Sequence, residues 1–340
     1  MPSLILTGNT SKVTVESKHI LVEKRDETGK NTIKTHVPMF DIERVLIIGR
    51  PYVTIPTLQR IVRKGIPINF ITTYGRWIGA MTSNDNMDAI RRIKQYEFYT
   101  NESKNLEISK NLIYAKLMNS RRVLQRLSAN RKESQTHVQM SACNFLKNLA
   151  GQSRNATSKM ALRGLEGSAA ARYFERLSDF FPQEIPFTTR TRRPPKDEAN
   201  ALLSWTYTIL YGEIETAIRA QGLDPCIGFM HETSHGTPSL ALDLMEPLRG
   251  PVCDLLVLNL LNHHTFKKED FRLDLESGGV FLKQESQRKF FINYEAAMSR
   301  KFRLAKNLDH VDFRQIIRKQ IFTVLHYLEG IEGESFFLLP

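Results

Sequence analysis

The first 85 residues alternate between short apolar runs and turn residues, as β-strands and their connecting turns do. Four segments are short and rich in β-branched residues, and two later runs are continuously apolar and should be buried. Between those two runs, Thr54 can cap a short helix that ends before Gly65. The pattern predicts a compact, mostly β domain over residues 1–85. Its strands are expected at Ser3–Leu6, Lys12–Glu16, His19–Glu23, Thr32–Val37, Arg44–Ile48, Ile68–Thr72 and Arg76–Met81.

Apolar positions recur about every 3.6 residues after the polar stretch Ser83–Asn86, where we place a domain boundary. Residues 86–340 are therefore predicted to form a larger, all-α domain, and the fold class is α+β. Asn200 can cap one long helix of this domain. Helical spacing is clearest at Leu112, Ile113, Lys116, Leu117 and Leu124, and further helices are predicted at Ala201–Gln221, at 252–262, and from about Gln287 and Asp312.

The charge of the chain points to a polyanionic partner. The 340 residues carry a formal net charge of +12, which suggests nucleic acid first and an anionic membrane second. Arginines and lysines decorate the predicted helices, either as solvated faces or as a surface for the DNA backbone. No apolar run is long enough to span a bilayer, and three widely spaced cysteines support no disulfide framework or zinc ribbon. We expect a cytoplasmic protein without a membrane partner.

The candidate chemistry centres on a histidine and two carboxylates. His231 ends an apolar run, and Asp243 and Glu246 follow at positions i and i+3, which share one face of a helix. Their neighbours are apolar, so the segment should be largely buried. Buried carboxylates need a metal ion or a basic partner. One histidine with carboxylates suits Mg²⁺ or Mn²⁺.

A second candidate segment is the small-residue helix predicted around Gly164–Phe174. Small side chains there would let a ligand or another helix approach the backbone closely. Glu166 is either a functional acid or a carboxylate placed near the helix N-terminus, where the helix dipole favours it. Tyr173 in the same segment is a candidate DNA contact.

The segment from Phe187 to Asn200 reads as a loop, because its two prolines stop any helix. Its arginines, beside threonines, suit phosphate contacts, although a surface linker would have the same composition. The candidate DNA contacts of this loop are Arg190, Arg192, Arg193 and Asn200.

The sequence His231–His235 matches the H-E-x-x-H motif of zinc proteases, which needs both histidines on one helix face. Gly228 precedes it, and Gly236 and Pro238 follow, so a helix there would be barely two turns long. The extended protease motif would also need glycine at position 238. The context therefore argues against a zinc protease.

Several ordered motifs resemble the CRISPR-associated adaptation integrase, the endonuclease that inserts new spacers into CRISPR arrays. The segment from Ala201 to Asn262 carries most of the resemblance, with G-L-D-P-C-I-G-F-M-H followed by P-S-L-A-L-D-L-M-E-P-L-R. Leu165–Ala170 is similar to the family's L-E-G-x-A-A element. The loop Arg192–Asn200 and the later Gly278–Val280 also resemble the family.

The resemblance implies a β-rich N-terminal domain that serves dimerisation, an α-helical catalytic domain and a homodimer. It implies that Glu166, His231 and Glu246 bind Mg²⁺ or Mn²⁺, and that Asp243 lies close to the metal. It also implies a small second adaptation protein and double-stranded DNA as partners, the DNA being the spacer precursor and the CRISPR repeat.

The resulting hypothesis is metal-dependent phosphoryl transfer, in which a 3′-hydroxyl of the incoming DNA attacks a phosphodiester at the repeat. Water in place of the hydroxyl would give nuclease activity. Two alternatives belong to other functional classes of protein. One is a non-catalytic basic scaffold that binds DNA, and the more remote one is the zinc protease.

Overall fold

The computed structural model describes the chain except for residues 1–2, 9, 26–31, 84–87, 130–136, 234–235, 305–309, 332 and 334. The chain divides into two compact units, Met1–Met87 and Asp88–Pro340. Most of the polar break that we predicted at Ser83–Asn86 lies outside the described residues.

The described part of the first unit contains a four-stranded sheet and a three-stranded antiparallel sheet. The larger sheet has the order β1-β5-β6-β7, with β1, β5 and β6 parallel and β7 antiparallel to β6. The smaller sheet has the order β2-β3-β4. The strands are β1 Ser3–Leu6, β2 Thr10–Glu16, β3 His19–Arg25, β4 Thr32–Pro38, β5 Arg44–Ile48, β6 Ile68–Ile71 and β7 Trp77–Met81.

Helix α1, Ile55–Arg63, connects the parallel strands β5 and β6. It begins after Thr54, whose hydroxyl pairs with that of Thr57 at 2.8 Å rather than with a backbone N–H. Gly65 follows the helix with a φ of +74°, a conformation that glycine adopts readily. Ile61 of α1 packs into a core that includes Val13, Val45 and Ile68. The predicted strands and helix of this unit are confirmed.

The second unit is mostly helical. Its long helix α3 packs against α4, α5 and α7, and α6 is buried around most of its circumference. The helices are α2 Ala89–Thr100, α3 Glu102–Ala129, α4 His137–Arg154, α5 Lys159–Leu177, α6 Glu198–Ala220, α7 Ser239–Leu248, α8 Leu255–Asn262, α9 Gln284–Ser299 and α10 Phe313–Glu329, and a π-helical segment, Arg249–Asp254, joins α7 to α8.

Two short hairpins accompany these helices. One pairs β8, Phe271–Asp274, with β9, Gly279–Leu282, and the other pairs β10, Phe302–Arg303, with β11, His310–Val311. The α+β class is confirmed. The second unit, which we predicted to be all-α, is mostly helical but also carries these two hairpins. In the described part of the chain, no helix has the length and apolar character needed to cross a bilayer.

The start of α6 differs from the prediction. Asp197, and not Asn200, is the N-cap, and its carboxylate accepts a hydrogen bond from the backbone N–H of Asn200 at 2.7 Å. Asn200 lies inside the first turn and is fully buried. Both residues suit a cap, and the helix begins at the earlier one.

Candidate active site

Asp243 ties the loop before α7 to the helix itself. Its carboxylate accepts hydrogen bonds from the backbone N–H groups of Phe229, Met230 and His231 at 2.5 to 3.0 Å. Ser239, at the start of α7, accepts from Gly228 N and donates to Cys226 O. The helix therefore places His231 by holding the backbone of the loop that carries it.

Gly228 is required by the closeness of this contact. A Cβ atom at this position would lie 2.5 Å from the carbonyl carbon of Ser239 and 2.7 Å from Asp243 Oδ2. Any side chain would therefore push the loop away from α7 and stretch the hydrogen bonds to Asp243.

The same carboxylate orients the imidazole of His231. Nδ1 lies 2.6 Å from Asp243 Oδ1. Because a carboxylate accepts, we assign the proton to Nδ1, and the lone pair of neutral His231 is then on Nε2. Burial lowers the pKa of His231, but the hydrogen bond to Asp243 and the charges of Asp243, Glu246 and Glu166 together raise it above the usual value.

Glu246 lies on the same side of α7, and Glu166 comes from α5. Both carboxylates contact the ammonium group of Lys116 from α3, at 2.5 Å for Glu166 Oε1 and 2.6 Å for Glu246 Oε2. Nε2 of His231 lies 3.8 Å from Glu246 Oε1. We call Lys116, Glu166, His231 and Glu246 the carboxylate–lysine cluster.

Arg249 supplies a second cation to this cluster, with its guanidinium 2.9 Å from Glu246 Oε1. Burial raises the pKa of Glu246, but the charges of Arg249, Lys116 and His231 outweigh it and lower the pKa to about 2. The carboxylate is therefore ionised although it is buried. Burial lowers the pKa of Lys116, but Glu246 and Glu166 raise it above its usual range, so the ammonium is charged as well.

The donor set of the cluster fits a divalent ion. Two carboxylates and an imidazole nitrogen are ligands that Mg²⁺ or Mn²⁺ accepts. A cation already stands between the carboxylates, namely the Lys116 ammonium. Glu246 Oε2 is buried and lacks a well-directed hydrogen bond, although Lys116 Nζ is near. With the side chains so placed, no three acidic, histidine or cysteine residues in the described part of the chain are close enough to share an ion.

A shallow cleft of about 300 Å³ opens onto the cluster, and Glu166 and His231 form part of its wall. At its rim, Arg163 of α5 pairs with Glu232 at 2.5 Å, and both side chains are exposed to solvent. Gly164 and Gly167 also lie on α5, and no atom would lie within 4 Å of a Cβ added to either. These two glycines thus face open space and do not receive another helix.

Glu166 does not lie near a helix terminus. Helix α5 begins at Lys159 after Ser158, whose side chain caps it by accepting from Ala161 N. Glu166 is therefore about two turns inside the helix, and a role as a dipole-stabilised terminal acid is ruled out.

Three of the candidate DNA contacts have internal partners. Tyr173 is buried and donates to Asp254 at 2.7 Å. Asn200 is buried and donates to Thr189 O and Asp197, while Arg190 donates to Asn200 Oδ1 at 2.8 Å. We therefore withdraw Tyr173 and Asn200 as direct DNA contacts, because neither side chain reaches the surface.

Arg190 is half-buried and also lies over the ring of Tyr207, so its guanidinium mainly holds the loop to α6. Arg192 and Arg193 are exposed. Lys196 of the same loop donates to Gly278 O, and Val280 N donates to Pro195 O, which attaches the loop to the β8–β9 hairpin. This loop is thus held on two sides and is not a free linker.

The H-E-x-x-H match has no helix to support it. His231 and Glu232 lie in irregular structure, and the hydrogen bonds of His231 N and Nδ1 go to Asp243. His235 lies outside the described residues. The zinc-protease geometry, with the histidines and the glutamate on one helix, is therefore wrong for His231 and Glu232.

Sequence reasoning missed Lys116 and Arg249, the two cations of the cluster. Lys116 stands among the apolar positions that indicated helix α3, four residues after Leu112. A lysine among buried apolar positions implies a buried anionic partner, so this position could have predicted the contact with the carboxylates. Arg249 had no such signal, since it stands just after the end of α7, two residues past Pro247.

Comparison with known proteins places these features in a family. Residues 4–296 match the model of the family described as CRISPR associated protein Cas1. The chain is 32% identical over 293 residues to a CRISPR-associated endonuclease Cas1 of Thermus thermophilus, covering 86% of this chain and 84% of the relative. A solved structure of a Cas1 protein from Thermotoga maritima has 25% identity and a TM-score of 0.79, covering 98% of this chain and all of that chain.

A second similar structure is that of a Cas6-RT-Cas1–Cas2 complex. It has 26% identity and a TM-score of 0.79, covering 99% of this chain and 36% of that chain.

Proposed function

The chain belongs to the Cas1 family of CRISPR-associated proteins, and we propose that it transfers DNA strands at a divalent metal site built from Glu166, His231 and Glu246. Its function is that of a CRISPR adaptation endonuclease and integrase. The metal, the ligand roles and the DNA contacts are the parts proposed here.

The convergence of three elements carries the proposal. Glu166 from α5, Glu246 from α7 and His231 from the preceding loop meet beside one cleft, although 80 positions separate the first from the last. Ionised carboxylates in a buried site are costly unless a cation accompanies them. A scaffold that only bound DNA would not need these three residues to meet beside a cleft.

Each residue has a distinct task in strand transfer. A bound Mg²⁺ or Mn²⁺ would polarise the scissile phosphate and stabilise the charge that develops on it. Glu166 and Glu246 would hold the ion through carboxylate oxygens, and His231 would hold it through Nε2. Asp243 does not act as a ligand, because its oxygens are engaged by three backbone N–H groups and Nδ1 of His231. It is the positioning residue that keeps Nε2 free.

The nucleophile decides between the two reactions of the site. A 3′-hydroxyl of the incoming DNA gives integration at the CRISPR repeat, and water gives endonuclease cleavage. Arg163 at the cleft rim is suited to contact a phosphate near the reacting one, since a guanidinium binds phosphate oxygens in pairs.

The partners follow from charge and from the family. A net charge of +12 favours double-stranded DNA, and Arg192 and Arg193 are exposed for phosphate contacts. We propose that the chain acts as a homodimer through its β-rich unit, as the family resemblance implies. We also propose a small second adaptation protein as partner, because a similar chain stands in a Cas6-RT-Cas1–Cas2 complex. Its place of action is then the cytoplasm, where the CRISPR DNA is.

A strand-transfer and cleavage assay with Mn²⁺ tests the proposal. Purified Glu166→Gln and His231→Ala proteins should lose both reactions, while Glu276→Gln and His263→Ala, two exposed residues, should keep them. Wild-type protein that binds DNA but shows no metal-dependent chemistry would instead support the non-catalytic scaffold. Full activity of both site variants would contradict the assigned ligands.

A further inference from the structure

Lys116 occupies the centre of the proposed metal site. Its side chain is only 17% exposed, and its ammonium touches one oxygen of Glu166 and one of Glu246. These carboxylates come from different helices, α5 and α7, and Lys116 comes from a third, α3. One cation thus connects all three helices at the point where the proposed ligands meet.

The ammonium and a divalent ion would compete for the same oxygens. Lys116 Nζ lies 2.5 and 2.6 Å from the two carboxylate oxygens, whereas Mg²⁺ binds carboxylate oxygens at about 2.0–2.1 Å. Two cations cannot stand at one position between these oxygens. The ion can bind these two oxygens only after the ammonium has moved aside, and the other oxygen of Glu246 already pairs with Arg249.

Lysine suits a cation that must leave. Its ammonium is a compact charge on a flexible four-carbon chain, whereas the fork of an arginine would hold a carboxylate through two bonds. Glu246 also keeps Arg249 on its other oxygen at 2.9 Å. Departure of Lys116 therefore does not leave this buried carboxylate without a charged partner.

We infer that Lys116 is a positioning residue that holds Glu166 and Glu246 together in the metal-free protein and is displaced when the divalent ion binds. The inference rests on the metal site of the proposed function. It adds that wild-type affinity for the ion is reduced by competition with an internal cation, and that this cation stabilises the metal-free protein.

The experiment measures Mn²⁺ binding to the DNA-free full chain by calorimetry, and melting temperature with EDTA or with Mn²⁺. Lys116→Met keeps an unbranched side chain of similar length and removes the positive charge. The matched control is Lys147→Met, which removes an exposed lysine on α4. We expect Lys116→Met to bind Mn²⁺ about tenfold more tightly than wild type does. Its melting temperature in EDTA should be lower than that of wild type, and Mn²⁺ should raise its melting temperature by more. The control should match wild type throughout.

Unchanged or weaker Mn²⁺ binding by folded Lys116→Met would overturn the inference. If this variant does not fold in EDTA, recovery of the fold with Mn²⁺ supports it. If it folds in neither condition, Lys116→Arg decides, because a guanidinium should hold the carboxylates more firmly and weaken Mn²⁺ binding. Wild-type Mn²⁺ affinity of the arginine variant would then overturn it.

Glu246→Gln separates the test of the proposed metal site from the test of the role of Lys116. If that variant binds Mn²⁺ as wild type does, the proposed metal site fails and the role of Lys116 fails with it. If Glu246→Gln loses Mn²⁺ while Lys116→Met binds it as wild type does, only the role of Lys116 fails.

Discussion

Two buried carboxylates of the helical unit, Glu246 and Asp254, are held by different kinds of partner. In the carboxylate–lysine cluster, Glu246 is paired with the cations Lys116 and Arg249. Eight residues later, Asp254 accepts hydrogen bonds from the neutral hydroxyls of Tyr173 and Tyr207 at 2.7 and 2.5 Å. We call Asp254 and these two tyrosines the tyrosine cluster.

The partners set the direction in which the pKa of each carboxylate shifts. Burial raises the pKa of Asp254, and the hydrogen bonds from Tyr207 and Tyr173 offset only part of this effect. At Glu246, cationic partners overcome the same effect and lower the pKa to about 2. Burial and the charge of Asp254 also raise the pKa of both tyrosines, which keeps them neutral donors.

The difference shows how a buried structural acid differs from a buried acid that we propose as a metal ligand. Asp254 is satisfied by two hydroxyls on fixed rings, and neither partner can be exchanged for a ligand. Glu246 is satisfied in part by a flexible lysine beside a cleft, so another cation can replace that partner. Both clusters use α5, which carries Glu166 and Tyr173 seven residues apart.

The largest expected effect separates the two clusters by function. Loss of a residue that only orients a metal ligand typically costs 10- to 100-fold in metal affinity or activity, so Glu246→Gln, which removes a ligand itself, should lower strand transfer by on the order of 100-fold or more. Asp254→Asn should instead lower the free energy of unfolding by about 1–3 kcal/mol, since it disturbs a buried hydrogen-bonded group, and should keep Mn²⁺ binding. Strand-transfer rates, calorimetry and urea unfolding measure both. Retained strand transfer in Glu246→Gln together with lost Mn²⁺ binding in Asp254→Asn would reverse the assignment.

Asp243 shares features of both clusters. Its carboxylate is held by hydrogen bonds within the protein, as that of Asp254 is, and it orients His231, one of the proposed ligands. Asp243→Asn puts an amide in place of one oxygen that accepts N–H bonds and weakens the hold on His231 Nδ1. We expect Mn²⁺ affinity to fall by roughly 10- to 100-fold, as for other residues that orient a metal-binding histidine. Calorimetry on the folded variant checks this, and wild-type affinity would show that His231 is oriented without Asp243.

Gly228→Ala tests whether the loop must touch α7. The added Cβ would meet backbone and Asp243 at 2.5–2.7 Å, so we expect a loss of about 1–3 kcal/mol in the free energy of unfolding and weaker Mn²⁺ binding. Gly151→Ala is the matched control, because Gly151 lies within α4 and a Cβ there meets no atom within 4 Å. In that control the free energy of unfolding should rise by about 0.5–1 kcal/mol. Equal effects of the two substitutions would contradict the close approach at Gly228.

The smallest effect concerns the rim of the cleft, where Arg163 and Glu232 form an exposed pair. Arg163→Ala should weaken DNA binding and Glu232→Gln should strengthen it, because Glu232 competes with phosphate for the guanidinium. Changes of about twofold to fivefold are expected for an exposed pair. Fluorescence anisotropy at low salt measures them, with Arg172→Ala and Glu175→Gln, a neighbouring exposed pair on α5, as controls. Changes of the same sign in the two rim variants would contradict the competition.

Local sequence patterns predicted the elements of this protein well, because each element is determined by neighbours along the chain. The strands of the first unit and the burial of α7 follow from the spacing of apolar residues. The start of α6 was misplaced by three residues, since Asp197 and Asn200 are both good caps. The position of Glu166 was also misjudged, because Ser158 starts α5 earlier than the small-residue segment suggested.

The residue pattern itself pointed to His231 and Glu246, and resemblance to the family gave Glu166 its ligand role. The residues that pair with these candidates could be found only in the structure. That Asp243 holds the backbone of residues 229–231 depends on how a loop folds back on a helix, which no periodicity encodes. The position of Lys116 between two carboxylates depends on the packing of α3 against α5 and α7. The sequence showed only that a lysine stood in an apolar stripe.

Anomalous diffraction from crystals grown with Mn²⁺ tests the central claim most directly. The account predicts one peak within about 2.5 Å of His231 Nε2 and of carboxylate oxygens of Glu166 and Glu246, with the Lys116 ammonium moved away from both glutamates. A peak elsewhere, or an unoccupied cluster with Lys116 still between the carboxylates at saturating Mn²⁺, would contradict it.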